Sequence, residues 1–393
     1  MKSDLQPLVA ALMIIVLFGG ALAVCFWPCD DKECDFSVTG TVTGLSSYNQ
    51  PRLDLKADVL FDEGFGYGDL FTIETPERTF EDAVLITGYR GMFMFDSYVN
   101  VESDGYLSVG FFGKLMTADS GTQVKLTHTG TSDRYPLTPL YNDGYTDDRN
   151  DYPSDEAFAN FYEVTGGNIK SGVLYRSFSP LYDPAKQSRS TYVNEQAEDA
   201  GIRYCVSLSY NDASVKKAVE SLDGYCLTLC EEGNYVAPAM GYLYFQQKEK
   251  TKTVLESILD NDGPYLVHCN VGRDRTGFTI LLLQALCGCT AEEMEACEVQ
   301  AFRNLYNIDP GSVEYRTIAD CTYDRNMYLI ANPDKIDDMF DVDWDNIDVS
   351  SVDTFSAAYS YCVDYMGMSE EDVDGLIEKL CSRCPIRTDR NGG

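Results

Sequence analysis

The residues best suited to chemistry lie in one short segment, residues 268–277, which reads HCNVGRDRTG. A cysteine thiolate such as that of Cys269 is a strong nucleophile. Arg275 follows Cys269 by six positions, so a loop that curls back can bring both side chains to one phosphorus atom. The planar guanidinium group suits a two-pronged grip on phosphoryl oxygens. This spacing predicts that Cys269 takes up a phosphoryl group, which water then removes.

A strand, a loop and a helix must follow one another directly to position these two residues. Residues 265–268 form a short apolar run, Gly272 lets the backbone turn, and the apolar run 276–287 predicts a helix that ends at Gly288. A tight loop that opens into a helix directs amide N–H groups and positive potential at a bound anion. The same dipoles lower the pKa of a cysteine at the mouth of the loop.

The remaining loop residues are predicted to surround the phosphate. Thr276 can donate its hydroxyl to the departing sulfur, and His268 is expected to hold the loop through hydrogen bonds and not to act as a base. The predicted phosphate-binding residues are Asn270, Val271, Gly272, Arg273, Thr276 and Gly277. A leaving phenolate or alkoxide also needs a proton, so a general acid must lie near the loop.

Patterns along the chain predict two domains behind an N-terminal segment. Residues 28–145 carry short β-type runs separated by Gly, Asp, Asn and Pro, which predicts an all-β domain built as a small sandwich or barrel. From 146 to 385, strands alternate with helices, which indicates an α/β domain with a mostly parallel central sheet flanked by helices. Residues 386–393 are expected to form a loose tail.

The segment HCNVGRDRTGF resembles the phosphate loop of the protein-tyrosine phosphatase superfamily, most closely the bacterial branch that reads Cys-X-X-Gly-Lys-Asp-Arg-Thr-Gly. The similarity covers roughly residues 148–382, including 172–177 (GVLYRS), and the β-rich part is similar to the front half of exported phosphatases of gut clostridia. The resemblance implies a tyrosine-phosphatase-like fold and hydrolysis of phosphate monoesters with no metal or other cofactor. It also implies that Asp274, which matches the loop aspartate of the branch, is the general acid.

This sequence departs from the branch at two places. Arg273 replaces the lysine of the loop and keeps its charge, whereas residues 206–212 read VSLSYND where the branch carries an Asp or Asp-Leu-Arg element. Asp212 is therefore the alternative general acid. For Asp274, the alternative to an acid role is a structural one, as a partner of Arg273 or of a backbone N–H group.

Composition limits the partners of the protein. With 63 acidic and 30 basic residues, the formal charge of -33 repels nucleic acid and anionic membranes, so a phosphate site must be built locally. A His-rich metal site is excluded because His128 and His268 are the only histidines. Residues 8–27 carry no charge, which predicts a signal peptide or a membrane anchor and an extracytoplasmic protein that meets the membrane only through this segment.

The leading function is dephosphorylation of phosphotyrosine in a protein. Within the enzyme class, a phosphoinositide or inositol phosphate is the alternative substrate, since the loop aspartate also occurs in relatives that act on phosphoinositides. A catalytically inactive module that binds phosphate or mediates adhesion is the alternative from another class. The sequence leaves the oligomeric state open.

Overall fold

The computed structural model describes residues 36–46, 49–88, 94–133, 146–306, 308 and 311–383. The N-terminal apolar segment, for which we predicted a signal or anchor, and the tail from 386 lie outside the described residues. Among the helices of the described ranges, none has the length and apolar character needed to cross a membrane.

The N-terminal part of the described chain is a closed barrel of seven strands, which agrees with the all-β region predicted ahead of the α/β part. The strand order around the barrel is β1-β2-β6-β5-β4-β3-β7, and all pairs are antiparallel except β4 with β5. The strands are β1 (Ser37–Leu45), β2 (Pro51–Lys56), β3 (Asp69–Glu74), β4 (Thr79–Ile86), β5 (Ser97–Val101), β6 (Tyr106–Phe111) and β7 (Gln123–Thr131). A short helix, α1 (Asp58–Phe61), follows β2.

Alternating side chains explain why this part of the chain closes into a barrel. In β3, Phe71 and Ile73 are fully buried while Thr72 between them is partly exposed. The two-residue period places one face of each strand in the barrel interior and the other outside. Closure pairs every strand on both sides and leaves no open sheet edge.

The part of the chain that follows the barrel is built around a five-stranded sheet in the order β11-β10-β12-β9-β8. Its strands are β8 (Tyr162–Glu163), β9 (Leu174–Ser177), β10 (Tyr204–Ser207), β11 (Tyr235–Val236) and β12 (Tyr265–His268). All pairs are parallel except the edge pair of β8 with β9, so the sheet is mostly parallel, as the alternation of strands and helices predicted. The central strand β12 is buried at all four residues.

Helices pack on both faces of this sheet, and this part of the chain contains eleven α-helices among the described residues. They are α2 (Asp155–Ala159), α3 (Arg189–Asp199), α4 (Asp212–Ser221), α5 (Tyr225–Glu231), α6 (Lys248–Asp260), α7 (Asp274–Leu286), α8 (Ala291–Tyr306), α9 (Val313–Ala319), α10 (Arg325–Ala331), α11 (Thr354–Ser360) and α12 (Glu370–Leu380). Successive residues of β12 face opposite sides, so Leu266 joins the core formed with α3, α4 and α5, and Val267 joins the core formed with α7 and α12.

The helix that follows β12 begins two residues earlier than the sequence pattern predicted. We expected residues 276–287, and the structure gives α7 as Asp274–Leu286, with every residue from Thr276 to Leu286 buried. A helix that is apolar all round passes through a core, so α7 is held rigidly in place. The loop between β12 and α7 therefore has two fixed ends, at the carboxyl edge of the sheet where parallel-sheet proteins bind ligands.

Candidate active site

The loop between β12 and α7 turns tightly at Gly272. This glycine has a φ angle of +73°. A Cβ atom at this position would overlap the backbone oxygen of Ser177 at the end of β9. Only glycine tolerates both the left-handed conformation and the close approach to β9, so the turn fixes glycine at this position.

Three successive carbonyl groups of the loop point outward and are bonded by residues behind it. The backbone N–H of Ser179 donates to the Asn270 carbonyl over 3.1 Å. The Asn160 side-chain amide donates to the Val271 carbonyl over 3.0 Å, and Arg176 Nη2 donates to the Gly272 carbonyl over 2.9 Å. Within the described part of the chain, the N–H groups of residues 270, 271 and 272 donate to no other group. A row of unpaired amides beside a helix N-terminus forms a cradle for an anion.

Cys269 lies at the start of this cradle and is 1% exposed. Burial alone raises the pKa of its thiol, whereas the charge of Arg275 and contacts from the Thr276 hydroxyl and amide lower it. The charge of Asp274 opposes the lowering, but the net effect is a pKa below the ordinary value. The Thr276 hydroxyl is buried beside the Cys269 thiol, where it can donate to the sulfur.

Arg275 extends from the first turn of α7 toward the segment that follows β11. Its Nη1 donates to the Met240 carbonyl over 3.0 Å, and its guanidinium carbon lies 5.4 Å from the centre of the Tyr242 ring. Its other N–H groups make no hydrogen bond within the described ranges. They are therefore open to two oxygens of a phosphoryl group.

His268 supports the loop from below. It is fully buried, and burial lowers the pKa of its imidazole from 6.5 to about 4. A neutral imidazole has one donor and one acceptor, so Nδ1 donates to the Cys269 carbonyl over 3.2 Å and Nε2 accepts from the Ser207 hydroxyl over 2.8 Å. Both nitrogens are occupied, in keeping with the structural role expected from the sequence.

The two acid candidates lie in different surroundings. Asp274 begins α7, and its carboxylate pairs with the Arg273 guanidinium over 3.0 and 3.2 Å while remaining 42% exposed. Arg273 also donates to the Tyr306 hydroxyl over 2.8 Å, so its charge is directed away from the amide cradle. Asp212 begins α4 after β10 and accepts from the Tyr235 hydroxyl over 3.3 Å. Of the two carboxylates, only that of Asp274 acts on the pKa of Cys269.

Sequence reasoning missed a buried ion pair behind the loop. Arg176 of β9 is fully buried and bonds the Gly272 carbonyl, while its Nη1 lies 3.4 Å from the Glu298 carboxylate of α8. Burial raises the pKa of Glu298 to about 7, although Arg176 lowers it. Gly277 in α7 allows this pair to approach, because a Cβ there would overlap the Glu298 carboxylate. The available signal was Arg176 itself, a charged residue that follows the apolar residues Val173 and Leu174 in a predicted strand.

Three tyrosines lie close enough to Cys269 or Arg275 to interact with them. The Tyr210 hydroxyl lies 3.0 Å from Ser179 Oγ, and burial raises its pKa to about 12. Burial also raises the pKa of Tyr182, and the charge of Cys269 adds to that effect. Tyr242 is 72% exposed although it lies against Arg275. We refer to Tyr182, Tyr210 and Tyr242 as the aromatic rim.

One of three comparisons with known proteins supports the predicted family. A family model described as a tyrosine phosphatase family matches residues 231–382, which contain the whole loop. A comparison with curated proteins gives no match. Among solved structures, the chain is similar to an uncharacterized conserved protein from Thermotoga maritima at 11% identity, with a TM-score of 0.21. That similarity covers 23% of this chain and 36% of the other, too little to indicate a shared fold.

Proposed function

We propose that this protein, whose residues 231–382 match the model of a tyrosine phosphatase family, removes the phosphate from phosphotyrosine in proteins. The family match supports phosphatase activity in general. The observation that carries the finer proposal is the cradle. The carbonyls of residues 270–272 accept hydrogen bonds from residues behind the loop, and the N–H groups of the same residues have no acceptor among the described residues. Cys269 and Arg275 flank these groups. This arrangement supplies a nucleophile together with a preorganised electrostatic site for a phosphoryl group.

The reaction proceeds in two displacements at phosphorus. The Cys269 thiolate attacks, a phosphorus–sulfur bond forms, and the bond from phosphorus to the tyrosine oxygen breaks while Asp274 gives that oxygen a proton. Water then attacks the phosphocysteine and passes a proton to the Asp274 carboxylate. The phosphorus–sulfur bond breaks, inorganic phosphate leaves, and the thiolate is restored. Arg275 and the loop amides stabilise the charge on the phosphoryl oxygens in both steps.

The aromatic rim favours a phenyl phosphate over an inositol phosphate. Tyr182, Tyr210 and Tyr242 lie near Cys269 or Arg275, and aromatic side chains of this kind can pack on the ring of phosphotyrosine. A polyphosphorylated inositol would need several cations, but the guanidinium of Arg273 is already engaged by Asp274 and Tyr306. The net charge of -33 also opposes approach to an anionic membrane.

A panel assay tests this proposal. We expect the full chain to hydrolyse phosphotyrosine peptides at least about tenfold faster, by kcat/KM, than phosphoserine peptides or water-soluble phosphoinositides, which corresponds to one or two good contacts with the ring. The Cys269→Ser variant is the control for contaminating phosphatases. A preference for the phosphoinositides would replace phosphotyrosine with the alternative substrate, and no turnover of any member would favour a non-catalytic module.

A further inference from the structure

The segment that contacts Arg275 is fixed at both of its ends. We refer to residues 239–247, between β11 and α6, as the strap. At its first end, the N–H groups of Ala239 and Met240 donate to the carbonyls of Tyr210 and Leu208, both over 2.7 Å. Lys250 of α6 donates to the Ala239 carbonyl over 2.5 Å. These bonds place the Met240 carbonyl, to which Arg275 donates.

The second end of the strap rests on the barrel. The Phe95 ring, in the segment that leads into β5, lies 5.0 Å from the Phe245 ring, and both rings are buried. The Gln246 side-chain amide donates to the Gly113 carbonyl over 3.1 Å, just beyond β6. Gly113 itself packs against Phe95, because a Cβ there would lie 2.9 Å from the Phe95 ring. One corner of the barrel thus supports the strap through the Phe95 ring and the Gly113 carbonyl.

The barrel corner is itself firmly held. Phe95 stacks on Trp344 with ring centres 3.9 Å apart, and buried Arg325 of α10 donates to the Asp96 carboxylate over 2.8 Å. Because close-packed interiors do not deform freely, a barrel corner that is fixed in this way also fixes the residues that pack on it. The strap is therefore held between the sheet that carries the loop and the barrel.

We propose that the barrel is a positioning part of the active site, in which Phe95 and the Gly113 carbonyl hold the strap and thereby place the Met240 carbonyl that orients Arg275. This inference rests on the proposed function, and it gives the all-β domain a role in the chemistry. Phe95 and Gln246 act through Arg275 and do not touch the substrate.

The test compares two phenylalanine truncations at the same domain contact. Phe95→Ala removes the ring that supports the strap. Phe80→Ala is the matched control, because the buried Phe80 of β4 packs on Phe340 with ring centres 5.3 Å apart, outside the strap. The readouts are the dissociation constant of tungstate, an unreactive oxyanion, by calorimetry, and the pH dependence of Cys269 alkylation by iodoacetamide, followed by mass spectrometry of the Cys269 peptide.

We expect Phe95→Ala to weaken tungstate binding by roughly ten- to a hundredfold, since a displaced guanidinium loses its geometry. The alkylation midpoint of Cys269 should rise, because Arg275 stabilises the thiolate. Phe80→Ala should lower the melting temperature but keep the parental tungstate affinity. Equal tungstate affinity in Phe95→Ala and the parent would overturn the inference, as would equal losses in Phe95→Ala and Phe80→Ala.

A second variant covers the case in which Phe95→Ala fails to fold. Gln246→Met removes the donor to Gly113 at an exposed position, and we expect about a threefold loss of tungstate affinity, the size of one hydrogen bond. Unchanged affinity in Gln246→Met would then overturn the inference. The parent protein tests the proposed function separately. If it binds tungstate and hydrolyses aryl phosphate, the proposed function stands, whatever the variants show. A parent that does neither would overturn the proposed function and the inference about the barrel together.

Discussion

His268 and Cys269 are adjacent and buried, and the pKa values of their side chains are both lowered, for different reasons. Burial disfavours the imidazolium of His268, which brings its pKa to about 4. Burial also disfavours the Cys269 thiolate, but the Arg275 charge and the Thr276 contacts outweigh it. The loop therefore holds a neutral imidazole beneath a thiol that ionises readily, and the two should respond to pH in different ways.

Neutral His268 should make stability depend on pH. Its folded pKa of about 4 lies below the ordinary 6.5, so the unfolded chain takes up the proton first as the pH falls. The stability it contributes is present above pH 6.5 and is lost toward pH 4, with a slope of at most about 1.4 kcal/mol per pH unit. Between pH 4 and 6.5, the unfolding free energy of His268→Asn, measured by urea unfolding, should change less with pH than that of the parent. His128→Asn is the control, and equal slopes for His268→Asn and the parent would contradict the assignment.

The general acid can be identified by its dependence on the leaving group. Asp274→Asn should slow hydrolysis of aryl phosphates with poor leaving groups by about a hundredfold or more, and of those with good leaving groups far less, because an activated phenolate leaves unprotonated. The measurement is kcat across a series of aryl phosphates of rising phenol pKa.

Asp212→Asn is the matched control for this series. Asp212 lies at the start of α4 and binds Tyr235, so its loss should leave the leaving-group dependence as in the parent. The opposite pattern, in which Asp212→Asn alone changes the dependence, would make Asp274 a structural partner of Arg273.

At the scale of elements, β9 and α8 hold the loop through Arg176 and Glu298. Arg176→Met should cost about 3 to 5 kcal/mol of unfolding free energy, because it leaves the buried Glu298 carboxylate without its partner. The double variant Arg176→Met with Glu298→Leu should recover much of that stability, since neither charge remains. Urea unfolding gives these values.

Turnover separates the two roles of Arg176. The double variant should remain well below the parent in kcat, because the Gly272 carbonyl still lacks the donor that turns it outward. A double variant with parental kcat would mean that the ion pair contributes stability alone and that the loop holds its shape without it.

The sequence predicts the contiguous parts of the site and not the parts that topology assembles. A short apolar strand, a glycine turn and an apolar helix are local patterns, so β12, the loop and α7 could be predicted. Arg176 and Ser179 reach the loop only because β9 pairs in parallel with β12, with Ser177 opposite His268. The strap likewise meets Arg275 through tertiary packing.

At the scale of the whole molecule, the charge of -33 should govern which phosphopeptides are used. Repulsion slows the approach of acidic peptides, and salt screens this repulsion at separations beyond the Debye length, which is about 10 Å at 0.1 M. We expect kcat/KM for an acidic phosphotyrosine peptide to rise severalfold between roughly 0.02 and 0.2 M salt. For a basic peptide of equal length, kcat/KM should fall. The same response for both peptides would contradict electrostatic steering.

During turnover, Cys269 is expected to carry the phosphoryl group as a phosphocysteine. Rapid mixing with a phosphotyrosine peptide, an acid quench within one turnover and peptide mapping by mass spectrometry test it directly. We predict a phosphorylated peptide that contains Cys269 and that disappears as inorganic phosphate forms, with none in Cys269→Ser. Phosphate on another residue, or steady turnover by Cys269→Ser with no phosphoenzyme in the parent, would contradict the account.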